Sequence, residues 1–118
     1  MKKNSVKNIR INSEVQREMS QIIREEIKDP RVHPMTSVMA AEVTPDLKFA
    51  KIFVSVLGSE EEKEKTMEGL KKSASFARAQ LARRMNLRNT PEITFVLDNS
   101  IEYGVTMSKR IDEVNHKE

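Results

Sequence analysis

The sequence predicts an α+β domain in which a small three-stranded β-sheet packs against helices. Three observations lead there. An apolar stripe at helical spacing occupies the first 28 residues. Two segments with strand character follow, joined by a proline turn. A long helical pattern then leads into a third apolar strand. The chain has 118 residues, 37% of them apolar and 33% charged, enough for one domain with one modest core.

The first helix is expected from Val6–Asn12 to Lys28. Val15, Met19, Ile22, Ile23 and Ile27 fall on one helical face. Ser13 and Gln16 have capping-box spacing, although the helix can begin a turn or more earlier. Asp29-Pro30 ends it, because the residue before proline is pushed out of the helical region. The next strand covers Val38 to Val43, with Val38, Ala40 and Glu42 on one face and Met39, Ala41 and Val43 on the other. Thr44-Pro45-Asp46 forms a turn with proline where a type I turn accepts it. The second strand runs from Lys48 to Leu57. Ala50, Ile52, Val54 and Val56 make one face, while Phe49, Lys51, Phe53, Ser55 and Leu57 make the other, which must see water at Lys51.

Ser59 and Glu62 form a capping box, and Glu60, Glu61 and Glu62 suit the positive end of a helix dipole. The helical pattern then continues from Glu60 to Met85, 26 residues, with Met67, Leu70, Ala74, Ala77, Leu81 and Met85 on one side. One straight helix of that length would be about 39 Å long, too long for so small a domain. Two helices meeting at Ser73-Ala74-Ser75 are expected. Ile93 to Leu97 is the third strand. Asn99 and Glu102 cap a last helix whose buried side is Ile101, Val105, Ser108, Ile111 and Val114. Residues 1–114 make a single domain, and 115–118 a frayed tail.

Function classes narrow quickly. The absence of cysteine excludes disulfides and Cys-ligated metal. With only His33 and His116, no metal site is expected. No run of 18 apolar residues exists, and no apolar segment follows the basic N-terminus, so neither a membrane span nor a secretory signal is expected. The cytoplasm is the expected compartment. The chain contains no Gly-Lys-Ser/Thr phosphate loop, no G-x-S-x-G elbow and no H-E-x-x-H. Glu25-Glu26 and Glu60-Glu61-Glu62 read as solvated helix faces. His33 reads as a loop residue or an RNA contact. No enzyme and no cofactor are expected.

Charge is more informative. The net charge is +3, but residues 73–90 carry four arginines and no acid. They are Arg78, Arg83, Arg84 and Arg88. Arginine binds phosphate bidentately, so this segment points to a nucleic acid. Lys2, Lys3, Lys7 and Arg10 precede the first acid and form a second basic arm. Phe49, Phe53, Phe76 and Phe95 are expected in or beside the core, because no base-stacking signature accompanies them.

Three blocks carry a resemblance. They are Arg24-Glu25-Glu26-Ile27-Lys28-Asp29-Pro30-Arg31, the run Asp46 to Val56, and Leu87-Arg88-Asn89-Thr90-Pro91-Glu92-Ile93-Thr94-Phe95 with Asp98-Asn99-Ser100. In this order they resemble the ribosome-binding factor A family, over residues 6–114. The resemblance implies a type II KH-like fold with a kinked helix pair in place of the GXXG loop. It implies a non-enzymatic factor that binds the immature small ribosomal subunit of bacteria. That factor assists late maturation and 5′-end processing of the subunit's ribosomal RNA and supports growth in the cold. The RNA-binding set is then Lys2, Lys3, Lys7, Arg10, Lys28, Arg31, Lys71, Lys72, Arg78, Arg83, Arg84 and Arg88, with the kink at Ser73, Ala74 and Ser75. Serine stands where the family has the alanine and glycine of the kink. The expected partners are the small subunit and its RNA, with an assembly GTPase as a further candidate, and the chain is expected to be a monomer. The alternative from another class is a protein-interaction adaptor that docks through the acidic C-terminal helix and a sheet edge.

Overall fold

The computed structural model describes residues 6–98 of the chain, with side chains from residue 9. The expected C-terminal helix and tail, Lys2 and Lys3, and the side chain of Lys7 lie outside the described residues. Helix α1 covers Val6–Gln21 and closes in one wider π turn over Ile22–Glu26. Strand β1 is Thr36–Val43 and β2 is Phe49–Val56. Helix α2 is Glu60–Lys72, α3 is Ala74–Arg84, and β3 is Glu92–Leu97.

In α1 the inward face is the expected one: Val15, Met19, Ile22, Ile23 and Ile27 are all buried. The π turn explains how Ile22 and Ile27 share that face. The Ile27 N–H donates to the Ile22 carbonyl at 2.9 Å, a five-residue closure that holds one residue more than an α turn. Ser13 lies inside the helix, not at its cap. Gln16 instead donates its side-chain amide to the Met39 carbonyl at 3.1 Å.

The sheet order is β1-β2-β3, antiparallel between β1 and β2 and parallel between β2 and β3. In β2, Ala50, Ile52, Val54 and Val56 are buried, as the alternation requires. The strict alternation expected in β1 fails at Met39. Val38 pairs with Val54 and Ala40 with Phe53, so Met39 is the extra residue of a β-bulge. Val38 and Ala41 therefore both turn to the core. The turn Thr44-Pro45-Asp46-Leu47 closes with the Leu47 N–H on the Thr44 carbonyl at 2.9 Å. Leu47 has φ 61°, a left-handed conformation that costs about 1–2 kcal/mol for a non-glycine residue. Burial of its side chain offsets that cost.

The capping box of α2 is complete: the Glu62 N–H donates to Ser59 Oγ, and the Ser59 N–H to Glu62 Oε1. The long helical pattern breaks at Ser73, as expected. The buried Gly69 lets α2 approach the Asp29–Val32 loop: a Cβ there would meet Val32 Cγ2 at 3.1 Å. Leu70, Ala77, Leu81 and Met85 join the α1 stripe and the sheet in one core. Two aromatic expectations are corrected. Phe49 is 53% exposed and Phe76 44% exposed, because each sits on a side of its element that no neighbour among the described residues covers. Phe95 packs against the core, and Phe53 is half-buried.

Candidate nucleic-acid interface

The arginine-rich segment starts at the kink, and the kink has no glycine pair. Two backbone donors that bracket it are engaged. The Ser73 N–H donates to the carbonyls of Gly69 (3.1 Å) and Leu70 (3.0 Å), and the Ala77 N–H to that of Ser73 (2.8 Å). Ser73 and Ala74 are half-buried and Ser75 is exposed. A KH clamp needs backbone amides that phosphate can reach closely. Here recognition of an anion falls to side chains.

Lys71 and Lys72 end α2, exposed, where cations suit the negative end of the helix dipole. Lys71 also lines a hollow of about 520 Å³ with Met67, Glu68, Ala74, Ile93 and Phe95. Arg78 is exposed, and its Nε and Nη2 donate to the Thr90 carbonyl at 3.2 and 3.0 Å. Lys48, absent from the expected set, lines a second hollow of about 370 Å³ with Arg78, Asn89, Thr90 and Glu92. Arg83 and Arg88 are exposed and make no side-chain contact with an acid among the described residues. Lys28 and Arg10 are exposed as well.

Arg84 and Arg31 differ. No acid lies within residues 73–90, yet Arg84 finds its partners on α1 and the π turn. Its Nη1 lies 3.2 Å from Glu18 Oε1 and 2.9 Å from Gln21 Oε1, and its Nη2 lies 3.4 Å from Glu26 Oε1. Only 22% of its side chain is exposed. The four arginines therefore do not share one open surface. Arg31 reaches Asp29 Oδ2 at 2.6 Å and Glu68 Oε1 at 2.8 Å. Hydrogen bonds from the Arg31 guanidinium and backbone N–H lower the Asp29 carboxyl to about 2. The same carboxylate bonds raise the Arg31 guanidinium.

His33 is built into the fold. Its Nδ1 accepts from the Met35 N–H at 3.0 Å, its Nε2 lies 3.1 Å from Glu62 Oε2, and its backbone N–H donates to Thr66 Oγ1. Among the described residues no cluster of His, Asp and Glu is placed to hold a metal ion. No helix among them is long and apolar enough to cross a membrane. Sequence reasoning also passed over Arg17 and Arg24. With Arg10 they stand at seven-residue intervals, and that spacing was the available signal.

The comparisons with known proteins agree with the fold. The family model described as ribosome-binding factor A matches residues 7–111. The ribosome-binding factor A of Lachnoclostridium phytofermentans is 63% identical over 115 residues, covering 98% of this chain and 85% of that protein. A solution structure from Thermotoga maritima, described as a ribosome binding factor A, superposes with TM-score 0.68 at 27% identity. It covers 81% of this chain and 91% of its own. A Thermus thermophilus ribosome binding factor A, fitted as a homology model into the cryo-electron-microscopy map of its 30S complex, gives TM-score 0.62 at 22% identity. That match covers 75% of this chain and 91% of its own. With the α–β–β–α–kink–α–β order and the single three-stranded sheet, the fold is KH-like, and this chain belongs to the ribosome-binding factor A family.

Proposed function

We propose that this chain is a bacterial ribosome assembly factor that binds the immature small ribosomal subunit and assists late maturation and 5′-end processing of its RNA. The family match over residues 7–111 carries this reading. The 30S complex of the Thermus thermophilus relative supports it. The proposed RNA-facing cations are Lys28, Lys71, Lys72, Arg78, Arg83 and Arg88, with Arg10 and the N-terminal Lys2, Lys3 and Lys7. Arg31 and Arg84 are assigned to the fold, because carboxylates already hold their guanidinium groups. The factor works by occupancy and not by bond chemistry. It favours one conformation of the subunit only if it binds immature and mature states with different affinity. An assembly GTPase that drives release, a monomeric state, action in the cytoplasm and a role in cold growth belong to the same proposal.

Sedimentation of the chain with small subunits in a bacterial lysate tests the reading. It is expected to travel with the small subunit and not with the large one. Arg83→Gln/Arg88→Gln should flatten the slope of log affinity against log salt by about 1.8 if both contact duplex phosphates. The variant should melt within about 0.5 kcal/mol of the wild type. Exposed Phe49, beside Lys51 on the outer sheet face, favours one other reading, a protein-docking adaptor. Such an interface would lose little affinity with salt.

A further inference from the structure

A trough lies between α1 and the edge strand β1, away from the kink. It consists of two adjoining hollows. One, of about 480 Å³, lies over Ile23, Ile27 and Val32 and reaches Thr36 and Val38. The other, of about 300 Å³, runs up the helix past Ser13 and Arg17. Ser20, Arg24 and Val38 line both, so the two are continuous.

The lining has a consistent chemistry. No aspartate or glutamate contributes to either hollow, although the chain carries 18 acids. Glu18, Glu25 and Glu26 of the same helix turn to Arg84 instead. Arg17 and Arg24 are both exposed, and neither makes an ion pair or side-chain hydrogen bond among the described residues. One helical face carries Arg10, Arg17 and Arg24 about 10.5 Å apart along the axis. Ser13, Ser20 and Ser37 add hydroxyl groups along the walls, while that of Thr36 donates to the His33 carbonyl at 2.6 Å. The floor is apolar, and at its open end Met35 stands 54% exposed.

We propose that this trough seats an unpaired stretch of RNA, with its phosphates on Arg17 and Arg24 and a base over the Ile27–Val32–Met35 end. The inference rests on the reading that the chain binds ribosomal RNA, and it adds a second contact of a different kind. A basic wall with hydroxyl donors matches the sugar–phosphate backbone. An apolar floor matches the face of an unstacked base, which a duplex keeps inside its stack. The volumes fall within the range of about 300–1,000 Å³ that holds a small molecule, which admits a nucleotide and excludes a double helix. Helix and edge strand flank the strand of RNA, and guanidinium groups take over the part that amides play at a glycine loop.

Titration of the full chain with an unstructured ten-nucleotide oligouridine tests the proposal. Arg17→Gln/Arg24→Gln should weaken binding about tenfold or more and flatten the salt slope by about 1.4, the value for two single-strand phosphate contacts. Lys51→Gln/Lys65→Gln removes the same charge elsewhere and should leave both quantities within twofold of the wild type. Arg17→Lys/Arg24→Lys should restore the slope. Equal oligouridine binding by the wild type and the glutamine variant overturns the proposal, as does equal weakening by the control pair. A weakened affinity for small subunits with an unchanged salt slope would assign the trough to a protein partner and also overturns it. Small-subunit sedimentation separates the two readings. If the wild type travels with the subunit while the glutamine variant binds oligouridine normally, the trough fails and the assembly reading stands. If the wild type does not bind the subunit at all, both fail.

Discussion

The two edges of the sheet are finished in different ways. Along β1, side chains of α1 occupy the strand's outer groups: Asn12 Oδ1 accepts from the Val43 N–H at 2.9 Å, and Gln16 caps the Met39 carbonyl. The trough beside that edge holds two cations and no acid. Along β3, the hollow under the kink holds Lys71 against Glu68, with Met67 and Phe95 making it largely apolar. The kink above it, Ser73-Ala74-Ser75, carries no glycine pair, and the Ser73 N–H is bonded back to Gly69 and Leu70. An ordinary KH module binds at its glycine loop because the backbone is free there. Where serine stands in place of those glycines, the proposed anion contacts are exposed lysine and arginine side chains.

Core substitutions give the largest expected effects and can break this comparison. Ile22→Ala, in the π turn of the trough's helix, and Leu81→Ala, in the helix that follows the kink, should each cost about 2–5 kcal/mol by denaturant titration. Both residues belong to one core, so each variant should still melt in one transition. Two transitions would mean that the edges belong to separately folding halves. Gly69→Val comes next. The added side chain must displace Val32 and the Asp29–Arg31 loop, at a cost of about 1–3 kcal/mol. That loop leads into β1, so the variant also tests whether the kink side communicates with the trough.

Arg84→Ala should cost about 1–2 kcal/mol, since it leaves Glu18 and Glu26 together without their guanidinium. Arg83→Ala, one residue away and exposed, should lie within about 0.5 kcal/mol of the wild type. Equal melting temperatures for these two variants would deny the internal role of Arg84. The smallest effect is the acid limb of stability at Asp29. Its carboxyl lies near 2 in the fold against an ordinary value near 3.8. A depressed folded value means the stabilisation is fully present above about 4 and disappears as the pH falls through about 2. Asp29→Asn should therefore flatten the fall of melting temperature between pH 4 and pH 2, while Asp46→Asn reports on the turn instead.

The elements were legible because each carried a local signal. The 3.6-residue stripe of Val15 to Ile27, the Ser59–Glu62 box and the β-branched face of β2 are properties of neighbours in sequence. What escaped depends on residues far apart. The bulge at Met39 is visible only once β1 is paired with β2. The exposure of Phe49 and Phe76 depends on which faces other elements happen to cover. Arg84 looked unpartnered because its carboxylates lie 58 to 66 residues away. Arg17 and Arg24 looked like ordinary surface charge on a helix that also carries acids. Glu18, Glu25 and Glu26 turn toward Arg84, and the trough lining is left without an acid.

The parallel register of β2 and β3 has a consequence for how the chain assembles. Phe49 pairs with Glu92 and Val54 with Leu97, so every contact of that ladder spans both helices of the crossover. The β1–β2 pair closes through a short turn and needs no such excursion. Non-local pairing forms late, because loop closure must precede its reward. During synthesis from the N-terminus, α1 and the hairpin are complete before β3 emerges. The trough, built wholly from residues 13–38, is thus expected to exist in a nascent half-domain whose kink side is unfinished. Folding kinetics check this: substitutions across the β1–β2 ladder, such as Val43→Ala, should slow folding. Ile93→Ala in β3 should mainly hasten unfolding, and the reverse pattern would contradict the proposed order.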